Sequence, residues 1–136
     1  MIFADLHIHS RYSRATSPLM RLKEIAKWSQ VKGLHLIGTG DFTHPLWLKE
    51  IKQNLIEQEG LLSLKEDTKK DLRFVLTTEI SLVFKQIKLR KIHLLVLAPS
   101  IEIVEQINAT LLKYGRLDYD GRPIFGLSCI EFIDLM

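Results

Sequence analysis

Two histidines separated by one residue, His7 and His9, begin the set of side chains able to do chemistry. On an extended segment, side chains at i and i+2 point to one face. Two imidazoles so placed can chelate a divalent ion through their ring nitrogens. Asp5 shares that face, where it can ligate or orient His7. Asp41 follows in GTGDFTHP, directly after a short apolar segment, and His44 comes three residues later. Gly38 and Gly40 allow close backbone approach there. Glu79 lies in LTTEIS and His93 in KIHLL. Four of the five histidines fall in this set, and each successive apolar segment offers one or two ligand-type residues.

Each residue also has a purely structural reading. His-x-His pairs occur in strands by chance. Asp41 and His44 are placed to cap a helix opening at Pro45. A buried, unpaired Glu79 would be costly, so it binds a cation, faces solvent, or pairs with Lys85 or Arg90. His93 taken alone reads as a core histidine, and His35 reads as structural. Cys129 reads as a small buried apolar residue. Tyr12 and Phe42 read as core aromatics, with stacking on an exposed base as the alternative. Arg11 and Arg14 follow the histidine pair directly, as solvated surface charge or as contacts for a phosphate.

Positioning these groups needs regular elements. IFADLHIH (2–9) predicts a strand. Ser17-Pro18 opens a helix whose apolar positions 19, 22, 25, 26 and 28 recur at helical spacing, and Gly33 closes it. HLIGTG (35–40) predicts a short buried strand, and Pro45 starts a second helix that runs toward Gly60. The stretch 62–71 is polar and charged and predicts a helical turn or surface loop. RFVLTTEISLVF (73–84) and KIHLLVLA (91–98) predict strands. Pro99-Ser100 caps a helix over 101–113, a turn-rich loop spans 115–123, and GLSCIEFIDLM begins a further helix. This alternation predicts an α/β domain over 1–136, with mostly parallel strands, flanking helices and right-handed crossovers. Ligands in such folds collect at the carboxyl ends of strands, where Asp41 lies.

The composition suits one globular domain: 136 residues, 46% hydrophobic and 26% charged. The apolar runs IHLLVLA and GLHLIG are far too short to cross a bilayer, so no membrane association is expected. The first residues lack a basic leader region, and a cytoplasmic location is the expectation. The single cysteine excludes an internal disulfide. A net charge of +3 permits a polyanionic partner without requiring one.

DLHIHSRYS (5–13) resembles the first motif of the PHP (polymerase and histidinol phosphatase) superfamily, His-x-His followed by small polar residues, here Ser10 and Ser13. The superfamily's second motif is usually Thr-Asp-His. Here Thr39-Gly40-Asp41-Phe42 shifts the aspartate, and His44 stands in for the histidine missing from its usual place. The bridging glutamate of the superfamily corresponds to Glu79, and its next histidine to His93. Taken with TTEIS, KIHLLVLAP and DGRP, these motifs resemble the N-terminal part of endonuclease Q-like DNA-repair nucleases over essentially the whole chain.

That resemblance implies a partial PHP-type (β/α) barrel, two or three divalent ions, and DNA cut beside deaminated bases such as uracil or hypoxanthine. The mixed nitrogen and oxygen donors suit zinc, manganese or iron better than calcium. His7, His9 and Glu79 are then expected to hold one ion, with Glu79 bridging to a second held by His93. Asp41, with His44, serves a third ion or activates water, which makes Asp41 and Glu79 the expected catalytic carboxylates. Arg11 and Arg14 are expected at the substrate phosphate. The family's remaining ligands, a further histidine and a late Asp-x-His, lie beyond position 136. A truncated barrel is therefore expected, with a homo-oligomer covering its open edge. Two other readings use the same residues: a small-molecule phosphoesterase of the histidinol-phosphatase kind, and an inactive remnant that binds metal or DNA.

Overall fold

A computed structural model of the chain describes residues 1–67 and 71–136. In chain order the elements are β1 (Ala4–Asp5), α1 (Leu22–Val31), β2 (Leu36–Gly38), α2 (Pro45–Asn54), β3 (Leu55–Gln58), β4 (Leu61–Leu64), β5 (Arg73–Lys85), β6 (Leu89–Ala98), α3 (Ile101–Leu111), β7 (Ile124–Phe125) and α4 (Cys129–Leu135).

The long strand β5 organises the sheet. β2 pairs with its first residues in parallel, and β1 pairs with β2 in parallel. β4 meets β5 antiparallel at Phe74. Farther along, β6 runs antiparallel to β5 from Leu76↔Ala98 to Lys85↔Leu89, while β7 lies parallel to it at Ser81 and Leu82. The sheet is therefore mixed, and among the described residues it does not close. The expectation of mostly parallel strands holds for β1, β2 and β7 but not for β3, β4 and the long β5–β6 pair, which are antiparallel. Only Gln86, Ile87 and Lys88 separate β5 from β6, too few for the crossover that a parallel pair needs.

Side chains on β5 alternate between two environments. Phe74, Leu76, Ile80 and Leu82 are fully buried. Phe74 and Leu76 join α1, α2 and α3 in one apolar cluster, with Leu22, Ile25, Trp47, Ile51 and Val104. Ile80 and Leu82 join Leu111, Leu117, Phe125 and Phe132 in a second. Val96 and Ile107 pack against both, so the two clusters are continuous. Thr77, Glu79 and Ser81 occupy the alternate positions of β5, and that opposite face carries the polar chemistry.

Several expected boundaries shift. Only Ala4–Asp5 of the 2–9 segment forms a ladder. The first helix begins at Leu22 rather than at Pro18. Its end is as expected: Gly33 adopts φ 71, with Gly33 N donating to Gln30 O and Leu34 N to Ser29 O. The second helix stops at Asn54, not near Gly60. Residues 55–64 instead form a hairpin, β3 to β4, turning at Glu59-Gly60. Both turn residues have positive φ, the geometry that matches strand twist in a two-residue hairpin. The loop expected over 62–71 thus begins inside β4, and its residues 68–70 lie outside the described residues. The third helix is capped as expected, Ser100 accepting from Ile103 N.

Candidate metal centre

Glu79 sits on β5 with only 4% of its side chain exposed, and three imidazoles converge on its carboxylate. His7 Nε2 lies 3.1 Å and His9 Nε2 2.9 Å from the same oxygen, Oε2. His93 Nδ1 lies 2.6 Å from the other oxygen, Oε1. His93 stands opposite Ser81 in the β5–β6 ladder, one diagonal step from Glu79 on the same sheet face. Ligand atoms of His7, His9 and Glu79 all lie within 4.8 Å of one another, the spacing of groups able to share one cation. The donors are imidazole nitrogen and carboxylate oxygen, which fits a transition-metal ion.

The backbone brings these groups together through close contacts. Segment 6–9 runs against 38–40, and a Cβ on Gly38 would meet Leu6 O at 2.5 Å. One on Gly40 would meet Ile8 O at 2.4 Å. Thr77, beside Glu79 on β5, accepts from Gly40 N at 2.9 Å through Oγ1. Asp5 accepts from the backbone N–H of His7 at 3.3 Å, which orients the segment rather than the ring.

Asp41 does not cap α2; the N-cap position is His44, whose side chain makes no capping bond. The Asp41 carboxylate is fully buried behind His9. Oδ2 accepts from Ser10 N at 2.6 Å, Ser10 Oγ at 2.7 Å and Ser13 Oγ at 2.9 Å. Oδ1 lies 3.0 Å from His9 Nδ1. With Oδ2 already taking three donors and His9 Nδ1 donating to Oδ1, Nε2 is the His9 nitrogen that can present a lone pair to a cation. Asp41 and Gly40 both adopt left-handed backbone, with φ of 49 and 63, which aims the carboxylate inward.

Charge balance follows from this geometry. The hydrogen bond to Asp41 raises the His9 pKa against the opposing effect of burial, with the Asp41 and Glu79 charges adding to the rise. Burial pushes the Glu79 carboxyl up, but the His7 hydrogen bond and the charges of His93, Arg122 and His9 together hold it below the usual carboxylate value. His44 goes the other way: burial lowers its pKa.

The remaining expected site residues sit elsewhere. His44 is not in the group around Glu79. Its ring is 4% exposed and stacks on Tyr12, with centroids 4.5 Å apart. The Tyr12 hydroxyl donates to Glu50 at 2.7 Å, and Phe42 is fully buried, so both aromatics serve packing. Arg11 pairs with Glu50 on α2. Arg14 pairs with Asp120 at 3.5 Å and lies over the Tyr119 ring. His35 Nδ1 accepts from Phe3 N at 3.1 Å, a structural role. Two features escaped the sequence reading. Ser10 and Ser13, small polar residues by type, hold Asp41. Arg122, in the DGRP stretch that carried the resemblance but no assigned role, reaches Glu79 Oε2 at 3.6 Å. A cleft of about 1020 Å³ between α2 and α3 is lined by none of the imidazoles.

The structure matches the lesion-specific endonuclease PfuEndoQ of Pyrococcus furiosus with a TM-score of 0.83 and 31% identity, over 98% of this chain and 31% of that one. The chain is similar to endonuclease Q. A second endonuclease Q structure, in complex with a 27-mer duplex substrate carrying an abasic lesion at the active site, matches with a TM-score of 0.82 and 31% identity. That match covers 97% of this chain and 31% of the other. An uncharacterized protein of Methanocaldococcus jannaschii, MJ0043, is 39% identical over 133 residues. This chain spans 14% of that relative's length. No family model matches the chain. Among the described residues no helix is long and apolar enough to cross a membrane.

Proposed function

We propose that residues 1–136 form one PHP-type domain carrying part of the active site of a metal-dependent phosphodiesterase. Its substrate is DNA, cut beside deaminated bases such as uracil or hypoxanthine. The observation that carries this reading is the convergence of three imidazoles on one nearly buried carboxylate. The likeness to a lesion-specific endonuclease over 98% of the chain supports the substrate class.

In this reading His7, His9 and Glu79 hold one divalent ion, and Glu79 bridges to a second held by His93. The ions are zinc, manganese or iron, and their chemistry is to make water nucleophilic at neutral pH and to neutralise phosphoryl oxygens. Asp41 keeps His9 in the tautomer that presents Nε2, and so acts through His9. Glu79 contributes two oxygens fixed by the β5 ladder, so its position is set by strand pairing and needs no loop closure. Among the described residues one edge of β6 has no partner strand, and Leu95 and Leu97, opposite Glu79 and Thr77 in the ladder, are 37% and 48% exposed. Self-association across that edge belongs to the same proposal.

The test pairs elemental analysis of the purified chain with cleavage of a uracil-bearing duplex in added manganese. Metal bound by wild type and lost in His7→Ala/His9→Ala, with strand scission beside uracil, is the expected result. Turnover of phosphate monoesters without scission would point to the small-molecule phosphoesterase instead. Equal trace metal in wild type and the double variant would overturn the ligand assignment.

A further inference from the structure

We propose that Arg122 is the substrate-phosphate anchor of this site, holding the anion that the bound cations also hold. The inference rests on the metal reading above and extends it to a residue that neither the expected ligand set nor the expected phosphate contacts included.

The loop around Arg122 is fixed onto the centre. Gly121 N donates to Tyr12 O at 3.1 Å. A Cβ on Gly121 would lie 2.3 Å from both Asp41 Oδ2 and Ser13 Oγ, so the loop backbone touches the buried carboxylate directly. Asp120, itself buried, accepts from Arg122 N at 3.1 Å and from Arg14 N at 3.4 Å. The chain is thereby held on both sides of residue 121, and Arg122 extends over the rim with 39% of its side chain exposed.

Its charge partner distinguishes it from the other arginines nearby. Arg11 has Glu50, Arg14 has Asp120 and Arg116 has Asp118. Among the described residues, the carboxylate paired with Arg122 is Glu79, through Oε2 at 3.6 Å. That oxygen also faces His7 and His9. A cation held by those three side chains takes up the oxygen on which Arg122 depends. A guanidinium cannot lose its proton, so Arg122 is then an uncompensated charge beside a second positive charge. An anion bridging the two relieves this, and a phosphate oxygen pair matches the planar guanidinium fork.

The test measures binding of inorganic phosphate by calorimetry to the manganese-loaded protein. Arg122→Gln should weaken phosphate binding about tenfold or more, while Arg122→Lys retains part of it. Metal content and melting temperature should be unchanged in both variants. Arg116→Gln, on the surface, should bind phosphate as wild type does. Wild-type affinity in Arg122→Gln with full metal content would overturn the anchor and leave the metal centre standing. Loss of metal from Arg122→Gln would also overturn it, by assigning Arg122 to holding the centre together. If wild type and His7→Ala/His9→Ala contain the same trace metal, the centre itself is refuted and the anchor falls with it.

Discussion

Asp41→Asn separates metal affinity from stability at a single atom. Oδ2 receives three donors, one of them the backbone N–H of Ser10 at 2.6 Å. A backbone N–H cannot rotate away, so the asparagine must keep its carbonyl oxygen on that side. Its NH2 is then forced to the Oδ1 side, 3.0 Å from His9 Nδ1. Two donors cannot face each other, so His9 must shed its Nδ1 proton and carry it on Nε2. Nε2 is the atom 2.9 Å from Glu79 that a cation would need. Removing a partner that orients a metal-bound histidine costs about 10–100-fold in affinity, or about 1.4–2.7 kcal/mol. Stability should fall less, because asparagine tolerates the left-handed backbone at φ 49 and keeps an acceptor for Ser10. Asp41→Ala is the contrast. It orphans the Ser10 N–H at about 1–3 kcal/mol, and alanine lacks the short polar side chain that makes left-handed backbone tolerable for Asp and Asn. Zinc titration against a chelating indicator, run beside urea unfolding of the metal-free chain, reads both quantities. The reasoning is refuted if Asp41→Asn binds zinc like wild type, or if Asn and Ala lose stability equally.

Gly121→Ala should cost about 2 kcal/mol and lower Tm by about 5–10 °C, because its Cβ would press on Asp41 and Ser13. Gly126→Ala, with no atom within 4 Å of the added Cβ, should stay within about 0.5 kcal/mol in the same melting assay. His9 has a raised pKa in the folded chain, so its stabilising contribution is complete below its unfolded value near 6.5. That contribution disappears as pH rises from about 6.5 through the raised value, so the metal-free chain should lose Tm over that rise through this group. His9→Gln should remove that part of the slope. Zinc binding should run in the opposite direction and weaken as pH falls, since protons compete for His9; pH-dependent titration checks the sign. Glu59→Asn should stabilise the β3–β4 hairpin by up to about 1 kcal/mol, because Glu59 occupies left-handed backbone at φ 53, and urea midpoints would reveal it.

What the sequence determined by itself was local. Ser100 as a helix cap, Gly33 at a helix end and the strand character of 73–84 follow from groups within a few residues of one another. The candidate ligands were also legible, because imidazole and carboxylate are scarce in apolar strands and their recurrence stands out. What the tertiary structure decided was which of them meet. His7 and Glu79 are 72 residues apart, and only the β1–β2–β5 pairing brings them together. The same pairing put Asp41 behind His9 and left His44 stacked on Tyr12, although the two are only three residues apart. The β3–β4 hairpin replaced an expected stretch of helix because burial of Leu55 and Leu62 against β5's core outweighs a weak helical preference. Arg122 lies in the DGRP stretch that contributed to the resemblance, but a Gly-Arg pair in a turn-rich loop assigns it no role. Its meaning comes from the loop pressing on Asp41, a contact set by packing across the whole chain.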